Sequence, residues 1–187
     1  MLNIRRLSPN DLGLVRPFSD RALVGEEAHL KISRLGFQLD YVPLSKGEWR
    51  TFLPASYADP AIITQDEGSA FFAAFEGTTY IGCAAVTTDP SGWADVIDLR
   101  VDPLFRRCGI GTALLAQCGY FAEKRGLHGL RMAVTDTNPA LCRFCEHMGF
   151  VLAGLDRMIH SRSPEERLKP VLRRACALYF YLPIEKG

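Results

Sequence analysis

The sequence predicts a mixed α/β fold, a largely antiparallel central sheet flanked by helices. Three observations carry this. Apolar, partly β-branched runs at 70–76, 79–87 and 93–101 follow one another with only turn residues between them. One strongly periodic helical pattern comes directly after them, and strand, short helix and strand patterns then alternate toward the C-terminus.

The elements read in order as follows. Residues 2 to 8 alternate apolar and polar as a strand, and Ser8-Pro9-Asn10-Asp11 offers capping chemistry for a helical stretch running to about Leu35. From Phe37 to Pro60 the pattern loosens around Pro43, Pro54 and Pro60, with Trp49, Phe52 and Tyr57 scattered through it. This segment reads as an irregular loop, either covering the core or binding an acceptor. Gly77-Thr78 turns the first two apolar runs into a hairpin, and Asp89-Pro90-Ser91-Gly92 leads into the strand from Trp93 to Val101. Ile110, Ala113, Leu114, Cys118 and Phe121 recur at helical spacing until Lys124-Arg125-Gly126 stops the helix with cations and a glycine. Leu130, Met132 and Val134 mark a further strand. Asn138-Pro139 caps and starts a short helix that ends at Gly149, and another strand begins at Phe150. A charged stretch with Arg162, Arg167, Lys169, Arg173 and Arg174 reads as solvated surface, and Ala175 to Leu182 as an aromatic-rich strand.

Bulk properties limit the function classes. At 187 residues and 48% hydrophobic content, residues 1–187 are expected to form a single domain. Twenty-two Lys and Arg against 21 Asp and Glu leave a formal charge of +1, which gives no field to hold nucleic acid. Residues 1–7 lack the apolar region of an export signal, and no apolar run approaches transmembrane length. A cytoplasmic protein without a membrane partner is expected, its six cysteines reduced.

The chemistry concentrates between Asp98 and Thr112, where a glycine-containing turn joins a strand to the strong helix. A helix N-terminus presents unpaired N–H groups and partial positive charge, and glycines let a pyrophosphate approach the backbone. Arg106 and Arg107 add charge-assisted contacts. The segment lacks the Gly-Lys-Ser/Thr ending of a Walker loop and the third glycine of a dinucleotide fingerprint, which weakens both of those readings.

Arg106-Arg107-Cys108-Gly109-Ile110-Gly111 resembles the acetyl-CoA pyrophosphate loop of the GNAT superfamily of acyl-CoA N-acyltransferases, and Leu99-Arg100-Val101-Asp102-Pro103 resembles the strand end that leads into it. Asn138 to Phe150, an asparagine followed by a short helix ending in Gly-Phe, resembles that family's downstream element, and the order of elements agrees. The resemblance implies a GNAT-type sheet splayed near Val101 and acetyl-CoA as co-substrate. It implies coenzyme contacts from Leu99, Arg100, Val101, Arg106, Arg107, Cys108, Gly109, Ile110, Gly111, Thr112, Asn138 and Phe144, and no metal.

A direct attack by an amine needs an unprotonated nitrogen, donors for the developing oxyanion and a proton for the departing thiolate. By analogy the backbone N–H groups near Leu99 to Val101 serve the oxyanion. Asp98, with Asp95 farther back, is the candidate base, against the alternative of a merely exposed carboxylate. Family members commonly carry tyrosine in a Phe-Tyr pair where this chain has Phe144-Cys145, so either the Cys145 thiol or water protonates the coenzyme. An acyl-cysteine lacks a suitably placed base, because His147 points elsewhere on the helix. Cys142 and Cys145 lack the second ligand pair of a metal site, which leaves packing thiols as the alternative. His29, His128 and His160 have no catalytic spacing.

Gly149 to Asp156, the strand Ala177 to Leu182 and, loosely, the segment from Phe37 to Pro60 resemble streptothricin-type antibiotic acetyltransferases. That resemblance implies a small-molecule amine acceptor and an acidic cleft, for which Asp40, Glu48, Asp59, Asp66 and Glu67 are candidates. Acetylation of a protein N-terminus or lysine, and a non-catalytic acyl-CoA-binding module, are the alternatives. The family resemblance also leaves room for a homodimer, with the apolar C-terminal strand as its surface.

Overall fold

The computed structural model describes residues 1–19, 21–52, 59–158 and 175–184. Along the chain the elements are β1 (Leu2–Arg6), a 3₁₀ turn (Pro9–Leu14), β2 (Arg21–Ser33), β3 (Gly36–Thr51), α1 (Pro60–Ile63), β4 (Ser69–Glu76), β5 (Thr79–Thr88), β6 (Ala94–Val101), a second 3₁₀ turn (Pro103–Phe105), α2 (Ile110–Lys124), β7 (Gly129–Thr135), α3 (Pro139–His147), β8 (Val151–Asp156) and β9 (Ala177–Pro183). The fold is mixed α/β, as the sequence predicts. The chain falls into two compact units: Met1–Asp20 with Leu53–Arg131 and Pro183–Gly187, and Arg21–Phe52 with Met132–Leu182. Strand β7 begins in the first and ends in the second. No helix among the described residues is long and apolar enough to cross a membrane.

In the first unit the strands lie in the order β1-β4-β5-β6-β7. All pairs are antiparallel except the last, where β6 meets β7 in parallel at Ala94↔Leu130 and Asp95↔Arg131. Strand β4 is an unbroken apolar run, because both of its faces are covered. On one face Phe71, Ala73, Phe75, Tyr80, Cys83 and Ala85 pack with Leu7 and Ile63, and with Val15 and Phe18 beside the first 3₁₀ turn. The other face takes α2, which buries Ile110, Leu114, Leu115, Cys118, Phe121 and Ala122 at helical spacing. That helix stops where its sequence signals place the stop. Gly126 is left-handed with φ 65°, and its N–H and that of Leu127 return to the carbonyls of Glu123 and Ala122.

In the second unit β2 and β3 form one long hairpin, α3 packs on β2 and β8, and the strand order is β7-β9-β8. The expected helix to Leu35 and the expected loop from Phe37 are therefore both corrected to strand. The period is two. Ala28, Leu30 and Ile32 alternate with Glu27, His29 and Lys31, and Phe37, Leu39 and Tyr41 alternate with Gln38, Asp40 and Val42. The register pairs Ala28 with Tyr41 and Leu30 with Leu39 on one face. The capping signals at Ser8 and Asp11 are real but close only the short 3₁₀ turn, through Ser8 Oγ donating to Asp11 at 2.6 Å. Pro54 and Tyr57 lie outside the described residues.

Strand β9 runs between β7 and β8, with Leu178 and Phe180 fully buried. Its apolar character is thus accounted for by the core of its own unit.

Candidate active site

The loop before α2 is shaped by two left-handed residues two positions apart, Arg107 and Gly109. Asp102 caps the second 3₁₀ turn by accepting from Leu104 N at 2.8 Å, and Arg106 Nε donates to the Val101 carbonyl at 3.1 Å. Arg107 then adopts φ 66° and Gly109 φ 78°, which turns the chain sharply into Ile110. A left-handed arginine is an uncommon and strained conformation. Gly109 caps the helix without a side-chain acceptor, and the first bond of the ladder runs from Ala113 N to Gly109 O at 3.0 Å. Arg106, Arg107, Cys108 and Gly109 are exposed. Positive helix end, two guanidinium groups and a bare glycine cap make the chemistry of an anion site.

A Cβ at Gly109 would meet nothing within 4 Å, so Gly109→Ala carries only the backbone penalty of a left-handed L-residue. That penalty is about 1–2 kcal/mol, or about 2–8 °C in Tm for a chain of this size. The expected result is that modest Tm loss, measured by thermal unfolding, together with a weaker coenzyme Kd.

Gly82 seats this helix. It pairs with Val101 across the β5–β6 ladder, and a Cβ there would lie 2.9 Å from the Arg100 carbonyl, 3.2 Å from Leu114 Cδ1 and 3.3 Å from Ile110 Cγ2. The glycine lets the first turn of α2 and the end of β6 close on β5 together. Reading residues 79–87 as a strand did not single it out. A glycine inside an otherwise apolar strand was the available signal.

Strand β6 carries a bulge. The register passes from Val86↔Val96 to Ala85↔Asp98, so Ile97 is the extra residue. A regular strand would put Asp98 on the same face as Val96, toward α2. The bulge instead places Asp98 and Arg100 on the face of Ala85 and Cys83. There the Asp98 side chain is 2% exposed and accepts from Arg100 Nε at 2.9 Å and Nη2 at 2.6 Å, both on one oxygen. Tyr80 and Cys83 flank the pair from β5 and hydrogen-bond to each other. Burial, reinforced by the Asp98 charge, pushes the Cys83 thiol up to about 11. Burial first, and then Cys83, raises the Tyr80 hydroxyl too. Burial would lower Arg100, but the Asp98 charge and hydrogen bond hold it above its usual range. Phe18 stacks on the Tyr80 ring at 4.8 Å. Asp95, the more distant candidate, is held by Arg131, which also reaches Asp89 at 2.9 Å, and so staples β6 to β7. Within this unit the parallel pairing ends at that staple, and β6 runs on from Val96 to Val101.

In the second unit Asn138 caps α3, accepting from Leu141 N at 3.2 Å, with Pro139 in the first turn. Phe144 is half-buried. Cys145 is fully buried, and burial pushes its thiol up to about 12, which keeps it from being a thiolate nucleophile. Cys142 is raised the same way. A network the sequence did not reveal ties the hairpin to this helix. Arg143 lies 3.8 Å over the Tyr41 ring and holds Glu26 at 2.6 and 2.7 Å, while Tyr41 donates to Glu146 at 2.6 Å. All six cysteines are free thiols.

Of the acidic residues expected to line a cleft, Asp40 and Glu48 belong to the second unit and Asp59, Asp66 and Glu67 to the first. Asp40 and Glu48, on β3, bond Lys31 and Arg50. Asp59 caps α1 through Ala61 N at 2.9 Å, and Asp66 accepts from Gly68 N at 3.0 Å and from Ser69. The Glu67 carbonyl accepts from Arg125. His29 faces Glu27, and His128 packs edge-on to Trp93. His160 and the cations Arg162, Arg167, Lys169, Arg173 and Arg174 lie outside the described residues.

Known proteins resemble this chain to different depths. The model of the acetyltransferase (GNAT) family matches residues 39–150, more than half of the chain. Streptothricin acetyltransferase A of Bacillus subtilis (strain 168) is 29% identical over 100 residues, 54% of this chain and 58% of that protein. Streptothricin acetyltransferase of Streptomyces lavendulae is 33% identical over 88 residues, 46% of each chain. The matched stretch thus spans about half the length of these two relatives. Among solved structures, a Bacillus anthracis str. Ames protein described as a streptothricin acetyltransferase, crystallised with acetyl coenzyme A, superposes with a TM-score of 0.83. It covers 99% of this chain and 98% of that one at 22% identity, a likeness of fold.

Proposed function

Because the chain belongs to the GNAT acetyltransferase family, we propose that it moves an acetyl group from acetyl-CoA to a primary amine of a small cationic molecule of the streptothricin class, acting as one domain. The observation that carries this reading is the glycine-capped start of α2 behind Arg106 and Arg107, which suits a coenzyme pyrophosphate. Leu99, Arg100 and Val101 offer backbone to the pantetheine arm, the loop from Arg106 to Thr112 takes the pyrophosphate, and Asn138 and Phe144 are the further coenzyme residues that the family resemblance implies. The acceptor class is drawn from the relatives that act on streptothricin.

In the proposed reaction Asp98 receives the proton of the acceptor ammonium through water, and the nitrogen lone pair attacks the thioester carbonyl. As the C–S bond breaks, with the sulfur keeping the electron pair, the now cationic nitrogen loses its second proton to water and the thiolate takes up a proton. Cys145 is the candidate for that last proton, with water as its rival. Because the thiol is fully buried, Cys145→Ala is expected to keep its turnover. The loss should fall well short of the roughly 10²–10⁴-fold that follows removal of a working general acid. A loss of that size would assign the thiol as the acid.

The deciding experiment follows thiol release from acetyl-CoA against streptothricin, aminoglycosides, polyamines and peptides. Turnover confined to cationic small molecules supports the proposal. Turnover only with peptides would replace it with protein acetylation, and coenzyme binding without turnover on any amine would replace it with a binding module.

A further inference from the structure

We infer that Arg100 is a positioning residue for acetyl transfer. With two nitrogens on one oxygen of the Asp98 carboxylate, it fixes that side chain in place and supplies its countercharge while the acceptor's proton is taken. The inference rests on the reading of Asp98 as the base.

Beyond the Arg100 contact with Cys83 on β5, the pair's own bond is local. Asp98 and Arg100 sit two residues apart on the same strand, so their bond joins no separate elements. Arg131 with Asp95, by contrast, ties two strands. The face they occupy is otherwise the apolar cluster of Phe71, Ala73, Phe75 and Ala85. A buried ion pair in such surroundings is commonly no better for stability than apolar residues of the same volume. The chain nevertheless spends a β-bulge at Ile97 on bringing both side chains to that face. What the cluster does supply is chemical asymmetry. Tyr80 and Cys83 from β5 and Arg100 from β6 are each held in their protonated forms, leaving Asp98 as the proton acceptor of the four. From β1 the same face carries Arg5, in the row of Ala73 and Cys83 and paired with Asp11 at 3.8 Å. The 3₁₀ turn region and α1 contribute the apolar Val15, Phe18 and Ile63 to the cluster.

The test is the pH profile of kcat/KM with acetyl-CoA and streptothricin, from about pH 3.5 to 9, where the acid limb in the carboxylate range reports the base of the free enzyme. Without the guanidinium charge the carboxylate binds its proton more readily, so Arg100→Gln should move the acid limb up by about 1–3 pH units. Its KM for acetyl-CoA should stay unchanged. Arg100→Lys keeps the charge but not the two-point grip, so the limb should return to its wild-type position while kcat stays lowered. A limb that stays in place in Arg100→Gln, or moves equally in both variants, overturns the inference. Should Arg100→Gln fail to fold, Arg100→Lys decides against wild type. A held limb with lowered kcat supports positioning, and a moved limb or an unchanged kcat overturns it. Asp98→Asn separates the premise, because full activity in that variant removes the base reading itself. Absence of wild-type turnover with streptothricin removes the proposed acceptor and the inference with it.

Discussion

Asp98→Asn is expected to lower kcat by about 10²–10⁴-fold, the range for loss of a general base, while leaving acetyl-CoA binding near its wild-type strength. The two readouts separate because Asp98 faces away from α2. The bulge at Ile97 turns it toward Cys83 and Ala85, whereas the loop proposed to bind the pyrophosphate follows Val101 on the same strand and opens α2. The substitution is close to isosteric but leaves Arg100 without its countercharge. Removing one partner of a fully buried pair costs on the order of 3–5 kcal/mol. The Arg100 side chain is 26% exposed and can recruit water, which places the expected loss at the low end of that range. Thermal unfolding with and without acetyl-CoA distinguishes a folded, inactive variant from an unfolded one. The double variant Asp98→Asn with Arg100→Met restores charge balance, and it should regain stability without regaining activity. Recovery of kcat in the double variant would assign the single variant's defect to folding and remove the base.

The second large effect is expected at Gly82. A methyl group there would stand 2.9 Å from a backbone oxygen of β6, closer than a carbon and a carbonyl tolerate, so the strand or the helix must shift. Side chains could yield at Leu114 and Ile110, but the Arg100 carbonyl is held in the β5–β6 ladder. Overpacking of this kind costs about 1–3 kcal/mol, or about 2–12 °C in Tm for a chain of this size. The consequence for function is larger than the loss of stability suggests. Ile110 is the first residue of α2, so displacing it misaligns the N–H groups that the pyrophosphate needs. Gly82→Ala is therefore expected to raise the acetyl-CoA Kd at least tenfold in calorimetry, even at temperatures where it remains folded. An alanine variant with wild-type Tm and Kd would show that the helix is not seated by this close approach.

The difference between what was legible and what was not follows the range of the interactions. The hairpin at Gly77, the stop at Gly126, the cap at Asn138 and the period of α2 all depend on residues within a turn of one another, and each stands where the sequence places it. The hairpin of β2 and β3 was misread because caps before it and prolines within it suggested a helix and a loop. Its alternation was present but gains meaning only from the partner strand, since Leu30 and Leu39 are buried together or not at all. The acidic residues Asp40, Glu48, Asp59 and Asp66 looked available for an acceptor because their partners, Lys31, Arg50, Ala61 N and Ser69, cannot be chosen from composition.

The sequence by itself determined the fold class, the glycine-containing loop from Arg106 to Thr112 and the helix behind it, because local backbone preference and helix-end signals specify them. The tertiary structure alone decided which carboxylate is buried beside an arginine, that Gly82 seats α2, and that the C-terminal strand is interior. A one-residue bulge at Ile97 reverses the face of every side chain after it, and the register that creates it is fixed by pairing with β5 rather than by the sequence of β6.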